Sequence, residues 1–159
     1  MTRDTKTNVM RLLTKAGIPY ETAEYAYSED DLSGTHAADV LGLPYERVYK
    51  TLMLKGDRTG YFVCVIPVDR EVDLKAAARI SGNKRAEMIP MKDLLPVTGY
   101  IRGGCSPVGM KKQFPAYIDA QAAEQERISV SAGQRGVQVI LNPEALAEYI
   151  GAEFIDITK

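Results

Sequence analysis

VYKTLMLKGDRTGYFVCVIPV, residues 48–68, reads as two strands joined by a polar connection, and it decides that the chain is built on a β-sheet. From Val48 to Leu54 the pattern alternates, with Val48, Lys50, Leu52 and Leu54 on one face and Tyr49, Thr51 and Met53 on the other. Lys55 to Gly60 has the composition of a hairpin turn. Tyr61 to Val68 is apolar on both faces, the pattern of a strand in the middle of a sheet. Cys64 within it reads as a small buried hydrophobe. Lys50 is the exception in this hairpin. Desolvating an unpaired ammonium among aliphatic side chains costs on the order of several kcal/mol, so Lys50 snorkels to water, pairs with an anion of the chain, or awaits the anion of a ligand.

Working outward, Val9, Leu12, Leu13 and Ala16 recur at helical spacing between Thr5 and Ala16, and Gly17 with Pro19 ends the run. Such a helix is amphipathic and covers a sheet. Tyr20 to Tyr27 is strand-like, with Tyr25 and Tyr27 on one face, and the acidic Ser28–Asp31 opens a loop. A short helix is expected over Thr35–Leu41, capped by Ser33 or Thr35 and closed by Gly42. Beyond the hairpin, Asp73 caps a helix LKAAARIS that Gly82 closes, AEMI is a short strand, and Pro90 starts a brief helix that Pro96 stops. AYIDA and ISVS are strands, and Ser131 to Gly136 turns the chain into VQVIL. Asn142-Pro143 opens a last helix closed by Gly151, and a final strand runs through Phe154 to Ile157. About eight strands and five short helices without regular βαβ alternation make an α+β fold on a mixed, curled sheet. No repeat or linker divides the sequence, so residues 1–159 are expected to form one domain.

The stretch Thr98–Lys112, TGYIRGGCSPVGMKK, holds Gly99, Gly103, Gly104, Pro107 and Gly109. Main-chain N–H groups there are not shielded by side chains and can cradle an anionic or carbonyl oxygen; equally, the glycines can serve a tight connection by supplying positive φ. Cys105, beside those N–H groups and Arg102, is weighed as a nucleophile, but no base accompanies it and a small residue simply fits between glycine and serine. His36 falls in the first turn of a capped helix and reads as an exposed polar residue rather than a base. The sequence therefore offers no Ser–His or Cys–His pair for covalent catalysis.

Composition narrows the classes further. Of the 159 residues 45% are hydrophobic and 26% charged, as in ordinary globular proteins. There is no apolar run of about 20 residues and no signal-peptide core at the start, so a cytoplasmic protein is expected, with no membrane contact. Two cysteines in different contexts read as reduced thiols, and one histidine without paired cysteines gives no metal site and no cofactor. A net charge of −1 excludes a general nucleic-acid coat. Any RNA contact is local, made by cations beside turns: Lys84-Arg85, Arg102, Lys111-Lys112 and Arg135. No exposed apolar seam is visible, which favours a monomer or a weak homodimer.

Three separated motifs, Val48-Tyr49-Lys50-Thr51-Leu52, the Thr98–Lys112 loop, and Val130-Ser131 with Gly133, Arg135 and Gly136, occur in the order and spacing of one known family. With them, the chain resembles the YbaK/EbsC family of aminoacyl-tRNA deacylases, most closely the branch that clears cysteine mischarged onto proline tRNA. The resemblance implies a barrel-like curled sheet with surrounding helices, and a hydrolase acting on the CCA end of aminoacyl-tRNA with the help of prolyl-tRNA synthetase. It implies roles as well. Lys50 would meet the phosphate or sugar of the terminal adenosine, Gly103 the aminoacyl carbonyl, and Ser131 would line the same pocket; these three form the expected catalytic set. Tyr25, Gly104, Ser106, Gly133 and Arg135 are the expected substrate-binding set. One position departs: relatives carry aspartate where this chain has Gln138, so an ionised carboxylate there cannot be essential if the activity is kept. The implied chemistry is attack by the thiol of the cysteinyl ester on its own carbonyl. Water attack on an alanyl ester and a non-catalytic module binding RNA 3′ ends are the alternatives.

Overall fold

The computed structural model describes residues 6–159. In chain order it comprises α1 (Asn8–Lys15), β1 (Tyr20–Glu24), α2 (Gly34–Leu41), β2 (Tyr49–Gly56), β3 (Gly60–Pro67), α3 (Leu74–Ser81), β4 (Ala86–Met88), α4 (Met91–Thr98), β5 (Ala116–Asp119), β6 (Ile128–Gln134), β7 (Val137–Leu141), α5 (Pro143–Ile150) and β8 (Ala152–Ile155). Short 3-10 turns at Tyr45–Arg47 and Ala120–Glu124 complete it. Among the described residues no helix is long and apolar enough to cross a membrane.

Local chemistry sets the helix limits. Thr7, Ser33, Asp73 and Asn142 each accept a main-chain N–H of the first turn of α1, α2, α3 and α5, satisfying donors that have no partner inside the helix. Gly42, Gly82 and Gly151 follow α2, α3 and α5 in the left-handed conformation, at φ of 71°, 83° and 70°.

Two sheets result. The larger has the order β4-β2-β3-β5-β8, antiparallel from β4 to β3 and parallel from β3 to β8. The smaller is antiparallel, in the order β1-β7-β6. A single parallel bridge between Val48 and Ser129 joins them. The mixed, curled α+β architecture expected from the sequence is present, but the strands do not close into a barrel. β2 and β6 pack together but share no ladder beyond that bridge, and a register shift between Ser131 and Gln134 bends β6 away.

The main core lies between the sheets, where Tyr49, Met53 and Val65 face Val130, Val137 and Val139 under Val9 and Leu13 of α1. The opposite face of the larger sheet packs Leu54, Phe62, Cys64 and Ile66 against Ala77 of α3 and Ile157. β3 is thus buried on both faces, as its uninterrupted apolar run requires. Each fully buried Leu, Ile or Phe of this kind contributes roughly 2–3 kcal/mol. The β2–β3 turn is braced by Asn83, whose Oδ1 accepts the N–H groups of Arg58 and Thr59 at 2.8 Å. That side chain fills the space a Cβ on Gly56 would need, since Asn83 Nδ2 would lie 2.1 Å from it.

Five boundaries differ from the sequence reading. α1 starts at Asn8 behind its Thr7 cap, whereas the expected start, Thr5, lies outside the described residues. β1 stops at Glu24, opposite the first residue of β7, so Tyr25 and Tyr27 are beyond it; Tyr25 N–H still donates to Gly136 O at 2.9 Å, in register with the last pair of the ladder. Pro96 does not stop α4 but sits inside it, and Thr98 Oγ1 donates to Leu94 O at 2.7 Å before Gly99 closes the helix. β6 runs to Gln134, which confines the turn to Arg135-Gly136, and the last strand is Ala152–Ile155 rather than Phe154–Ile157.

Candidate active site

A cleft of about 360 Å³ opens where β2 lacks a neighbour. β3 follows one edge of β2 along its length, but β4 covers the other only from Leu54 to Gly56. The cleft is lined by β2 and its entry from Val48 to Met53, between the Val48 bridge to Ser129 and the Ile89 N–H bond to Met53 O. Its walls come from four places: Leu32–Gly34 at the start of α2, Arg102 and Gly103 of the glycine loop, Ser131 and Gln138 of β6 and β7, and the apolar side chains of Met88, Ile89, Met91 and Leu94.

Lys50 lies in this cleft, half-buried, and makes no ion pair or hydrogen bond among the described residues. Burial holds its pKa below the ordinary lysine value, and Glu71 and Asp69 oppose that shift. Glu71 is itself paired with Lys159, at 3.6 Å. Of the three fates open to this lysine, full escape to solvent and pairing within the chain are both unrealised. An ammonium so placed favours a negatively charged ligand atom.

The glycine loop supplies a second element. Gly103 lines the cleft at φ +88°, and its N–H has no acceptor among the described residues, whereas the neighbouring Gly104 N–H is held by Ile101 O at 3.0 Å. Leu32 Cδ2 and Arg135 Cγ would sit 3.2 and 3.3 Å from a Cβ at Gly103, so the backbone is both left-handed and closely packed. Arg135 Nε donates to Arg102 O at 2.8 Å and so ties the loop to the β6–β7 turn. Tyr100 is the strut of the loop. Its hydroxyl donates to Val108 O, and its ring rests where a Cβ on Gly133 would lie 3.1 Å from Tyr100 Cε1. Gly133 and Gly109 make room for Tyr100, a role that sequence reasoning missed because the partners are far apart in the chain.

Polar groups on β6 and β7 form the third wall. Ser131 and Gln138 are cross-strand partners with 8% and 6% exposure, and Ser131 Oγ accepts Gly133 N–H at 3.1 Å, leaving its own proton free to donate. Ser129 Oγ donates to Gln138 Oε1 at 2.8 Å, and the Nε2 hydrogens have no acceptor among the described residues. Gln138 therefore puts a neutral donor in the cleft. Tyr25 also lines it, with its pKa raised by burial and drawn back in part by Gly136.

The structure thus gathers Lys50, Gly103, Ser131 and Tyr25 around one space. It places four expected residues behind the wall. Gly104 backs onto the main chain of Gln134 and Arg135, and Gly133 packs against Tyr100 and Val9. Ser106 is fully buried, with Oγ accepting Val108 N–H at 3.2 Å, and Arg135 is taken up by Arg102 O. Elsewhere the cations have other roles: Lys111 Nζ donates to Pro96 O at 3.2 Å, and Lys112 lies over the Phe114 ring. Cys105 touches the cleft, but burial pushes its thiol pKa up to about 12, so it is protonated at neutral pH. His36 lies 3.7 Å from Asp31 and caps no reaction centre. The arrangement can fix an anion with Lys50 and an oxygen with N–H, hydroxyl and amide donors, yet holds no activated nucleophile of its own.

Comparison with known proteins gives this cleft a context. The sequence model of the aminoacyl-tRNA editing domain matches residues 33–149. A protein of Enterococcus faecalis that carries the name Cys-tRNA(Pro)/Cys-tRNA(Cys) deacylase EbsC is 50% identical over 153 residues, 96% of this chain and 93% of that one. A proline–tRNA ligase of Fervidobacterium nodosum is 31% identical over 106 residues, which are 59% of this chain and 18% of the ligase. A crystal structure described as a trans-editing enzyme for prolyl tRNA synthetase superposes with a TM-score of 0.82 at 21% identity, covering 98% of this chain and 99% of that one.

Proposed function

Because the chain belongs to the family of aminoacyl-tRNA editing domains, we propose that it is a trans-editing hydrolase that removes cysteine from mischarged Cys-tRNA(Pro), and from Cys-tRNA(Cys), in the cytoplasm and in company with prolyl-tRNA synthetase. The observation that carries this reading is a cleft that, among the described residues, holds a desolvated lysine without a partner and free oxygen-binding donors but no activated nucleophile. An aminoacyl ester is already activated, so positioning and one or two oxyanion donors supply most of the acceleration it needs.

The substrate brings the nucleophile. With Lys50 on the phosphate or sugar of the terminal adenosine, the ester lies against Gly103 and Ser131. The cysteinyl thiol loses its proton and its sulfur adds to its own carbonyl carbon. Gly103 N–H, Ser131 Oγ–H and Gln138 Nε2–H are the donors for the oxygen that becomes negative. The C–O bond to ribose then breaks, the ribose oxygen takes up a proton, and water opens the four-membered thiolactone to cysteine. The name of the Enterococcus faecalis relative supports the cysteine specificity, and the ligase segment supports the link to prolyl-tRNA.

The test is loss of label from cysteinyl-tRNA(Pro) with and without protein. Acceleration of at least about 100-fold, the scale of one oxyanion donor, is expected. No acceleration would make the cleft a binding site for RNA 3′ ends without turnover.

A further inference from the structure

The bare edge of β2 carries hydrogen-bonding capacity that the fold leaves unused. In an antiparallel ladder, alternate residues turn both of their main-chain groups to the same neighbour. Val68 N–H donates to Val48 O at 2.9 Å, which turns Val48, Lys50, Leu52 and Leu54 toward β3. Ile89 N–H donates to Met53 O at 3.2 Å, which turns Tyr49, Thr51 and Met53 toward the opposite edge. On that edge β4 pairs only from Leu54 onward, and the bridge to Ser129 stands at Val48. Between these points no strand is paired with the N–H and C=O of Thr51 or with the C=O of Tyr49. The same residue holds a buried Oγ1 without a partner and lines the cleft. Main-chain groups in buried positions are nearly always paired, so an unpaired edge inside a cleft invites a ligand that completes it.

We propose that this edge reads the base of the 3′-terminal adenosine, with Thr51 N–H donating to adenine N1 and Tyr49 C=O accepting from the exocyclic amine. The assignment rests on the tRNA-editing function above. A carbonyl at one strand position and an amide two residues later point the same way, and adenine offers a donor and an acceptor side by side on its Watson–Crick edge. A planar base needs apolar cover, and Met88, Ile89, Met91 and Leu94 supply it beside the edge. Met88 and Met91 are otherwise unexplained, being 43% and 58% exposed at the rim. Lys50, next to Thr51 in the strand, is then beside the nucleotide whose sugar or phosphate it meets. Main-chain readout also explains how an almost neutral protein selects an RNA end: the contacts need neither a basic surface nor a dedicated polar side chain.

Base replacement tests this without disturbing the protein. Trinucleotides ending in adenosine, 7-deazaadenosine, purine riboside or inosine are titrated for binding, and the same four termini are compared in cysteinyl-tRNA(Pro) turnover. Adenosine and 7-deazaadenosine, which keep both groups, should behave within about twofold of each other. Loss of the amine should weaken binding by about tenfold, and inosine, which reverses both groups, by about 100-fold. Thr51→Pro deletes an N–H that no strand uses, at an edge where proline is tolerated, and should remove the preference for adenosine over inosine while the protein stays folded. Inosine bound and turned over as well as adenosine would overturn the proposal, as would full discrimination by a folded Thr51→Pro. Preference for adenosine in binding without any turnover would uphold the edge and refute the deacylase reading.

Discussion

Replacing Lys50 by methionine should raise stability and lower activity together, a pairing that a structural lysine cannot produce. The side chain is half-buried, unpaired and desolvated, so the folded state disfavours its charge. Methionine keeps the apolar stem and removes the ammonium. Solvent reaches part of the group and screens it, so the expected gain is modest, about 1 kcal/mol, or a rise of roughly 2–4 °C in Tm for a chain of this size. The pH dependence has a definite sign. A lysine whose folded pKa lies below its unfolded value opposes folding at low pH, where both states hold the proton, and ceases to do so as pH rises through that window. The advantage of Lys50→Met should therefore be greatest at low pH and shrink as pH rises toward the ordinary lysine pKa. In turnover, a charged contact to phosphate or sugar worth about 1.5–3 kcal/mol is lost, which is roughly 10- to 150-fold in kcat/KM. Urea melts at pH 7 and pH 10, beside deacylation kinetics, read both effects. A destabilised variant with unchanged turnover would refute the reasoning.

Three further substitutions probe the walls of the cleft. Gly103→Ala places a side chain at φ +88° within 3.2 Å of Leu32, and should reduce stability by about 1–2 kcal/mol in urea melts and turnover by about 100-fold, because the unshielded N–H moves. Tyr100→Phe leaves the buried Val108 carbonyl without its donor and should lower stability by about 1–3 kcal/mol with a smaller loss of activity, measured on the same samples. Cys105→Ala should retain turnover within about threefold, and the wild-type thiol should resist alkylation at pH 7.5, since its pKa is pushed up to about 12. A dead Cys105→Ala that is fully folded would restore the thiol as nucleophile.

What could be read from the sequence is what short-range chemistry dictates. Ser33 and Gly42, Asp73 and Gly82, Asn142 and Gly151 bracket α2, α3 and α5 because cap and left-handed residues act within one turn. Lys50 stood out because its charge contradicts its strand face, and the cleft bears that tension out. The rest depends on partners distant in the chain. β1 stops at Glu24 because its distant partner β7 begins only at Val137, after the Arg135-Gly136 turn, and Gly133, expected in the pocket, instead seats the ring of Tyr100. Ser106 looked available beside two glycines but closes a turn on Val108. The open edge at Thr51 was invisible for the same reason: it is defined by where β4 ends, and alternation within β2 says nothing of that.

The central claim, an editing cleft that borrows its nucleophile from the substrate, is tested most directly by single-turnover deacylation of Cys-tRNA(Pro) beside Ala-tRNA(Pro) at equal protein concentration. The two esters differ only in the sulfur. Cysteine should be released rapidly and alanine slowly, by a factor of 100 or more on the scale expected for a well-placed intramolecular nucleophile. Alanine released as fast as cysteine would contradict the account and assign the attack to water.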